Sequence, residues 1–241
     1  MSEPNALLPA LRASTADLAL ALDDSQWSDA DVAAPSLCEG WTRGHVLTHL
    51  ARNADGIAGT LAGALRGEIV ARYPDGWEAR NAAIDAGAGR SFAELRADVV
   101  ESAERLDRVL GAIADADAWD RPTDQDRPAV EWLMGRWREI EIHRVDLAGD
   151  YSPDRWPPLL VTLLLPQVAE TLADRVPSAV TVEVSAEGSL SGELVGSTWS
   201  AGSGPATVVS GPDWALLAWL VGRPEVVQHL LGSLPELAPL R

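Results

Sequence analysis

The sequence predicts an α+β protein that is mostly α-helical. It divides into a four-helix bundle at residues 1–150 and a small α+β domain at residues 151–241. Apolar residues recur with a helical period almost throughout the first part. After it, short Gly-bounded and β-prone segments indicate a short antiparallel sheet. The chain has 241 residues, 46% of them hydrophobic, which suffices to bury a sizeable core.

Two helices of the bundle carry clear end signals. Thr42 is suited to cap the start of a long helix that Gly67 ends. Ser91 and Glu94 form a capping box, which starts a helix that reaches about Ile113. Apolar spacing predicts the other helices of this part, over residues 5–23, 28–33, 76–85 and 129–148, the last of them closed by Gly149.

The second domain is predicted to open with a helix over residues 156–175, in which Pro166 introduces a kink. Valines alternate with polar residues over 179–184, which indicates a strand. Three further segments are β-prone: SGELVG at 191–196, STWSAG at 197–202 and ATVVSG at 206–211. Two final helices are predicted over residues 213–221 and 224–231.

The composition excludes several classes of function. The formal net charge is −17, and all 19 basic residues are arginine. Phosphate backbones and anionic lipids repel such a chain, so neither nucleic acid nor membrane is an expected partner. No apolar stretch is long enough to span a bilayer, and no secretory signal is visible. Cys38 is the one cysteine, which suits a reducing compartment, so we expect a cytoplasmic protein. We also expect the protein to be a monomer.

The four histidines are the most informative residues, because three of them fall on two long predicted helices of the bundle. Glu139 and His143 are four residues apart, so they share one helix face and can reach a single ion. His45 and His49 have the same spacing on another helix. The set His49, Glu139 and His143 offers two imidazoles and one carboxylate, which fits zinc with an open coordination position. The same set also fits non-haem iron.

Alternatives remain open for these residues. Glu141 is the competing carboxylate, but it lies two residues from His143 and so on a different side of the helix. A Glu–His pair at this spacing is also typical of an ordinary intrahelical salt bridge. His45 is a ligand, a group behind a ligand, or neither, and Asn53 continues its stripe. Cys38 is an inert small residue or a nucleophile beside a histidine.

Two segments resemble the metal-binding helices of the DinB-like family of bundles. One is EGWTR at residues 39–43 with the histidines and Asn53 that follow it, and the other is RWREIEIHRVDL at residues 136–147. The closer similarity is to the mycothiol-dependent maleylpyruvate isomerases, and it extends over nearly the whole chain. In the second domain it is carried by Gly211-Pro212, LLAWL at 216–220 and Gly222-Arg223-Pro224.

The resemblance implies a DinB-like metal-binding bundle with His49, Glu139 and His143 as the metal ligands. It implies zinc, or another divalent metal, as cofactor and mycothiol, a small thiol, as cosubstrate. It also implies that Arg223 is a functional arginine of the second domain. Without the resemblance, Arg223 is an arginine that satisfies carbonyls at a helix end.

The implied reaction is the cis–trans isomerisation of maleylpyruvate, an anionic unsaturated keto acid. A zinc-bound thiolate would add to the double bond, the resulting single bond would rotate, and elimination would give the trans isomer. Arg223 would stabilise the enolate or bind a carboxylate of the substrate. Two other functions remain open: a mycothiol S-transferase that acts on another electrophile, and a non-catalytic protein that binds a metal or a small ligand.

Overall fold

The computed structural model describes residues 4–22, 27–176, 178–185, 187–203 and 206–240, apart from the side chains at 224 and 225. The chain forms two compact units, one up to Gly149 and the other from Asp150 onward. Within the described ranges, no helix is both long enough and apolar enough to cross a membrane.

The first unit is helical. Its helices are α1 (Pro4–Ala21), α2 (Asp29–Ala33), α3 (Arg43–Arg66), α4 (Gly76–Gly87), α5 (Phe92–Asp115) and α6 (Glu131–Asp146). Helices α1 and α3 each pack against both α5 and α6, so the four long helices close a ring around one core. Leu18, Leu47, Ile113 and Trp137 are among the apolar side chains buried in this core. The predicted four-helix bundle is confirmed.

The predicted helix ends at Thr42, Gly67 and Ser91 are confirmed. The Thr42 side chain accepts a hydrogen bond from the backbone N–H of His45, and Nδ1 of His45 accepts one from the backbone N–H of Thr42. Gly67 ends α3 in the left-handed conformation, at φ 76°. Ser91 and Glu94 form the predicted capping box at the start of α5. His45 is therefore part of the local structure that starts α3.

Helix α6 is shorter than predicted, because it ends at Asp146 and Gly149 does not close it. Ala148 takes the left-handed conformation instead, at φ 52°. Its carbonyl accepts a hydrogen bond from Nη2 of Arg43 at 3.0 Å, which helps to hold the turn. The predicted first helix reached residue 23, but α1 ends at Ala21, and residue 23 lies outside the described residues.

The second unit combines helices with a small sheet. Its elements are α7 (Pro158–Glu170), β1 (Val180–Val184), β2 (Thr198–Ala201), β3 (Thr207–Gly211) and α8 (Asp213–Leu220). Short 3-10 helices lie at Pro153–Arg155, Thr171–Asp174, Gly192–Leu194 and Pro224–His229. Helix α8 packs against α7 and against β1 and β3. The predicted helix over 156–175 is thus α7 flanked by 3-10 turns, and the last predicted helix is a 3-10 helix.

The sheet is mixed, with strand order β2-β1-β3. The predicted antiparallel pairing holds for β1 and β2, whereas β3 runs parallel to β1. Ala201 at the end of β2 and Thr207 at the start of β3 both pair with Val180. The end of β2 and the start of β3 therefore lie on opposite sides of the start of β1, and β3 runs in the direction of β1.

The segment SGELVG at 191–196 is not the predicted strand, since it contains the 3-10 helix Gly192–Leu194. The carboxylate of Asp213 accepts hydrogen bonds from the backbone N–H groups of Leu190 and Ser191, at 2.8 and 2.7 Å. These donors are therefore used by a side chain and not by a neighbouring strand.

Candidate metal centre

The three residues that the sequence predicts as metal ligands lie together inside the first unit. His49 is on α3, and Glu139 and His143 are one turn apart on α6. Their ligand atoms all lie within 4.8 Å of one another. Oε2 of Glu139 is 2.8 Å from Nε2 of His49 and 3.4 Å from Nε2 of His143. The packing of α3 against α6 therefore completes a set that spacing on α6 alone could only begin.

The cluster is largely shielded from water. The side chains of His49, Glu139 and His143 are 6, 18 and 15% exposed. Polar groups at such burial must be paired with one another or bind something. In this cluster they are paired, and each of the three atoms that face one another is also a good ligand for a divalent metal.

The pKa values of the three groups diverge. Burial lowers the pKa of His49 to about 4, against the opposing effect of its hydrogen bond to Glu139. Burial acts to raise the pKa of Glu139, but hydrogen bonds from His143 and His49 outweigh it and hold that pKa well below its usual value. Burial acts to lower the pKa of His143, but Asp146, Cys38 and Glu139 raise it well above its usual value. The metal-free cluster at neutral pH is therefore neutral His49, ionised Glu139 and protonated His143.

Asp146 sets the orientation of His143. Its Oδ2 accepts a hydrogen bond from Nδ1 of His143 at 2.7 Å and one from Sγ of Cys38 at 3.2 Å. Its main-chain carbonyl accepts a hydrogen bond from the backbone N–H of Leu37. Nε2 of His143 consequently faces Glu139, as a metal ligand would. The ligand atoms of Cys38, His143 and Asp146 also lie within 4.8 Å of one another, so they form a second, overlapping set.

Arg80, on α4, contacts the cluster from another side, and no spacing argument had pointed to it. Its Nη2 donates a hydrogen bond to Nδ1 of His49. Because a guanidinium has only donors, Nδ1 must accept, and neutral His49 carries its proton on Nε2, towards Glu139. Arg80 also lies about 6 Å from the ring centres of Trp41 and Trp77. For Nε2 of His49 to bind a metal, its proton must leave and Arg80 must release Nδ1.

The remaining residues of the predicted polar stripes have other partners. His45 caps α3, and its Nε2 lies 3.8 Å from the carboxylate of Asp85. Asn53 accepts a hydrogen bond from Nη1 of Arg136 at 2.9 Å. Glu141 is buried and lies 3.6 Å from Nη1 of Arg144, outside the ligand sets found among the described residues.

Arg223 lies three residues after the end of α8 in the second unit and is partly buried. Its Nη1 donates a hydrogen bond to the carbonyl of Val221 at 2.6 Å, and its backbone N–H donates to the carbonyl of Ala218. These contacts are those of an arginine that satisfies carbonyls after a helix. Its functional role remains a prediction.

Comparison with known proteins confirms the resemblance. Residues 8–148 match the family model described as the mycothiol maleylpyruvate isomerase N-terminal domain. That match covers more than half of the sequence, and the chain belongs to this family.

Two solved structures are similar to the chain along almost its whole length. They are crystal structures of a mycothiol-dependent maleylpyruvate isomerase and of a histidine-to-alanine mutant. Each has a TM-score of 0.85 and 26% sequence identity, and the match covers 99% of this chain and 98% of the other. No curated protein matches the sequence. The similarity to an isomerase indicates an enzyme.

Proposed function

We propose that the protein is a metal- and mycothiol-dependent isomerase that converts maleylpyruvate, or a similar unsaturated keto acid, from the cis to the trans form. The buried set of His49, Glu139 and His143 carries the proposal, because it offers a metal site in a chain of this family. The similarity to a maleylpyruvate isomerase supports the choice of substrate.

The donor set fits a divalent metal. Two imidazole nitrogens and a carboxylate oxygen from two packed helices match the three-ligand sets of catalytic zinc sites, which leave a position open. His49, Glu139 and His143 would hold the ion. A bound zinc would lower the pKa of a thiol at that position, so that the thiol is a thiolate at neutral pH.

The residues of the chain prepare the site. Asp146 fixes His143 with Nε2 towards the ion position, and Glu139 adds the negative charge that favours a cation. Arg80, which lies against His49, provides a positive charge at the edge of the cluster. A carboxylate of the substrate would be attracted to that charge.

In the proposed reaction, the thiolate of mycothiol adds to the cis double bond. A C–S bond forms, and the electron pair of the double bond moves into the conjugated carbonyl as an enolate. Rotation about the new C–C single bond follows. The electron pair then returns, the C–S bond breaks, and the thiolate leaves behind the trans double bond. We propose that Arg223 stabilises the enolate or binds a substrate carboxylate.

The test combines the zinc-loaded protein with mycothiol and maleylpyruvate and follows formation of fumarylpyruvate. We expect thiol-dependent turnover. Arg223→Ala should retain its metal and lose turnover, whereas Arg155→Ala, a change at an exposed arginine of the same unit, should retain both. Full metal content without thiol-dependent turnover of this substrate would overturn the proposal.

An S-transferase is the second candidate, because the clustered residues would serve either reaction of a metal-bound thiolate and do not by themselves select the electrophile. Nη1 of Arg223, the residue assigned to the substrate, already contacts the carbonyl of Val221. A stable adduct between mycothiol and a test electrophile, formed without isomerisation of maleylpyruvate, would support this second function.

A further inference from the structure

A cavity of about 300 Å³ lies between α1 and α5 of the bundle. Its walls are mainly apolar, and they include Leu11, Ala19, Val99 and Leu110. The lining includes none of the three proposed metal ligands. The volume is at the lower end of the range of about 300–1,000 Å³ that is typical of small-molecule sites. The cavity is thus large enough for a small ligand and separate from the candidate metal centre.

Arg136 of α6 also lines this cavity, although it is only 2% exposed. Its Nη1 donates hydrogen bonds to the carbonyl of Leu50 and to Oδ1 of Asn53, at 2.8 and 2.9 Å. In the described part of the chain, its Nε and Nη2 have no hydrogen-bond acceptor, and the guanidinium forms no ion pair. Two donors of a buried cation are therefore left for a partner that the protein does not supply.

The charge of Arg136 persists at neutral pH. Burial lowers the pKa of its guanidinium to about 10, and Glu139 and Asp55 act on it only from a distance. Burying a charge without a counter-ion is energetically costly. A ligand with a carboxylate would remove much of that cost, because two parallel N–H donors match its two oxygens.

The outer rim of the cavity limits the charge of such a ligand. Arg12 and Asp107 form an ion pair of 2.6 Å at the rim, and both are about half exposed. Glu104 is also exposed there and brings a second carboxylate. These acidic side chains would repel a second anionic group at the outer end of a ligand. The surroundings therefore favour one buried carboxylate and an uncharged body.

We propose that the cavity between α1 and α5 binds a small monocarboxylate with an apolar body, such as a medium-chain fatty acid. The carboxylate accepts hydrogen bonds from Nε and Nη2 of Arg136, and the hydrocarbon chain lies against the apolar walls. The site requires neither the metal nor the thiol of the proposed isomerase, so this proposal does not depend on that function.

The test titrates octanoate into the metal-free protein, with chelator present, by calorimetry. Octanol serves as the uncharged probe of matched length. We expect one octanoate per chain and at least about tenfold weaker binding of octanol, since a charge-assisted pair contributes more than a neutral contact.

A pair of alanine variants tests the place of binding. Ala103→Leu fills the cavity and should weaken octanoate binding about tenfold or more. Ala97→Leu, at an exposed position of α5 outside the lining, should not weaken it. Arg136→Met should remove the preference for octanoate over octanol.

Several results would overturn the proposal. These are no octanoate binding at millimolar concentration, equal affinity for octanol, or unchanged affinity in Ala103→Leu. Binding that appears only after zinc is added would place octanoate at the metal centre and would also reject the cavity. If Arg136→Met does not fold, the comparison of octanoate with octanol and the comparison of the two alanine variants still test the proposal.

Discussion

Nδ1 of His143 donates a hydrogen bond to Oδ2 of Asp146 at 2.7 Å, and the same ring turns Nε2 towards Glu139. Asp146 is fully buried, so its carboxylate holds the imidazole in one orientation before any ion arrives. A histidine held in this way offers a single nitrogen to a metal. The two residues are three positions apart on α6, so one helical turn supplies both a ligand and the group that orients it.

The first prediction follows from that contact. Asp146→Asn should weaken zinc binding about 10- to 100-fold, because the amide is a poorer acceptor and no longer holds the proton of neutral His143 on Nδ1, which leaves Nε2 for the metal. Competition with a chromophoric chelator measures the affinity. Asp85→Asn, at an exposed carboxylate near His45, is the control and should bind zinc normally. Equal affinities of the two variants would contradict the role given to Asp146.

The second prediction separates the two glutamates of α6. Glu139→Gln should reduce zinc affinity by more than about 100-fold, beyond the usual effect of changing an outer hydrogen-bond partner, since a ligand is lost. Glu141→Gln makes the same chemical change two residues away, beside Arg144, and should keep its metal. Elemental analysis of the purified variants, with circular dichroism to check folding, compares them. Metal loss in Glu141→Gln alone would transfer the ligand role to that residue.

The third prediction concerns Arg80. Arg80→Met should bind zinc more tightly, by about tenfold, because His49 can then carry its proton on Nδ1 and one positive charge leaves the site. Nitrogen chemical shifts of His49 would show the change of tautomer in the metal-free protein. Arg108→Met, at an exposed position of α5, is the control. Weaker zinc binding in Arg80→Met would show that Arg80 helps to hold the site together.

The fourth prediction is the pH dependence of metal binding. The pKa of His143 is raised in the metal-free protein, so zinc must displace its proton below that pKa. Zinc affinity should therefore rise about tenfold per pH unit and level off above the raised pKa, with one proton released per ion. Calorimetry in buffers of different ionisation enthalpy counts the protons. Binding without proton release at pH 6.5 would contradict the protonated state of His143.

The same shift has an opposite effect on the metal-free fold. A raised pKa means that the folded state binds the proton more tightly, so this contribution to stability is complete below the ordinary pKa of 6.5. It is lost as the pH rises through the raised value. Chemical denaturation of metal-free protein across this range should show the loss, and His143→Gln should not.

The sequence alone was sufficient to predict contacts between residues that lie on the same helix. The pairing of Glu139 with His143 and the cap at Thr42 follow from spacing along a single element. Arg80 contacts His49 across 31 residues, and Cys38 contacts Asp146 across 108. Periodicity predicts which face of a helix is buried but not which faces meet, so these partners were not predictable.

The direction of β3 has a similar explanation. Alternation of side chains marks a strand equally well whether its neighbour is parallel or antiparallel. Only the place where β2 ends, beside Val180, decides that β3 returns in the parallel direction. The resemblance to a known family added what spacing could not: it strengthened the choice of Glu139 over Glu141, and it pointed to Arg223.

Cys38 is the only cysteine of the chain, it is partly exposed, and its sulfur contacts the carboxylate that orients His143. Reagents that react with free thiols are the usual means of following a small thiol in solution. Such reagents will therefore also react with Cys38. Modification there would disturb the hydrogen bonding of Asp146, so the assay would damage the site that it monitors. The Cys38→Ser variant keeps a hydrogen-bond donor at this position. In an assay with this variant, the added thiol is the only thiol present.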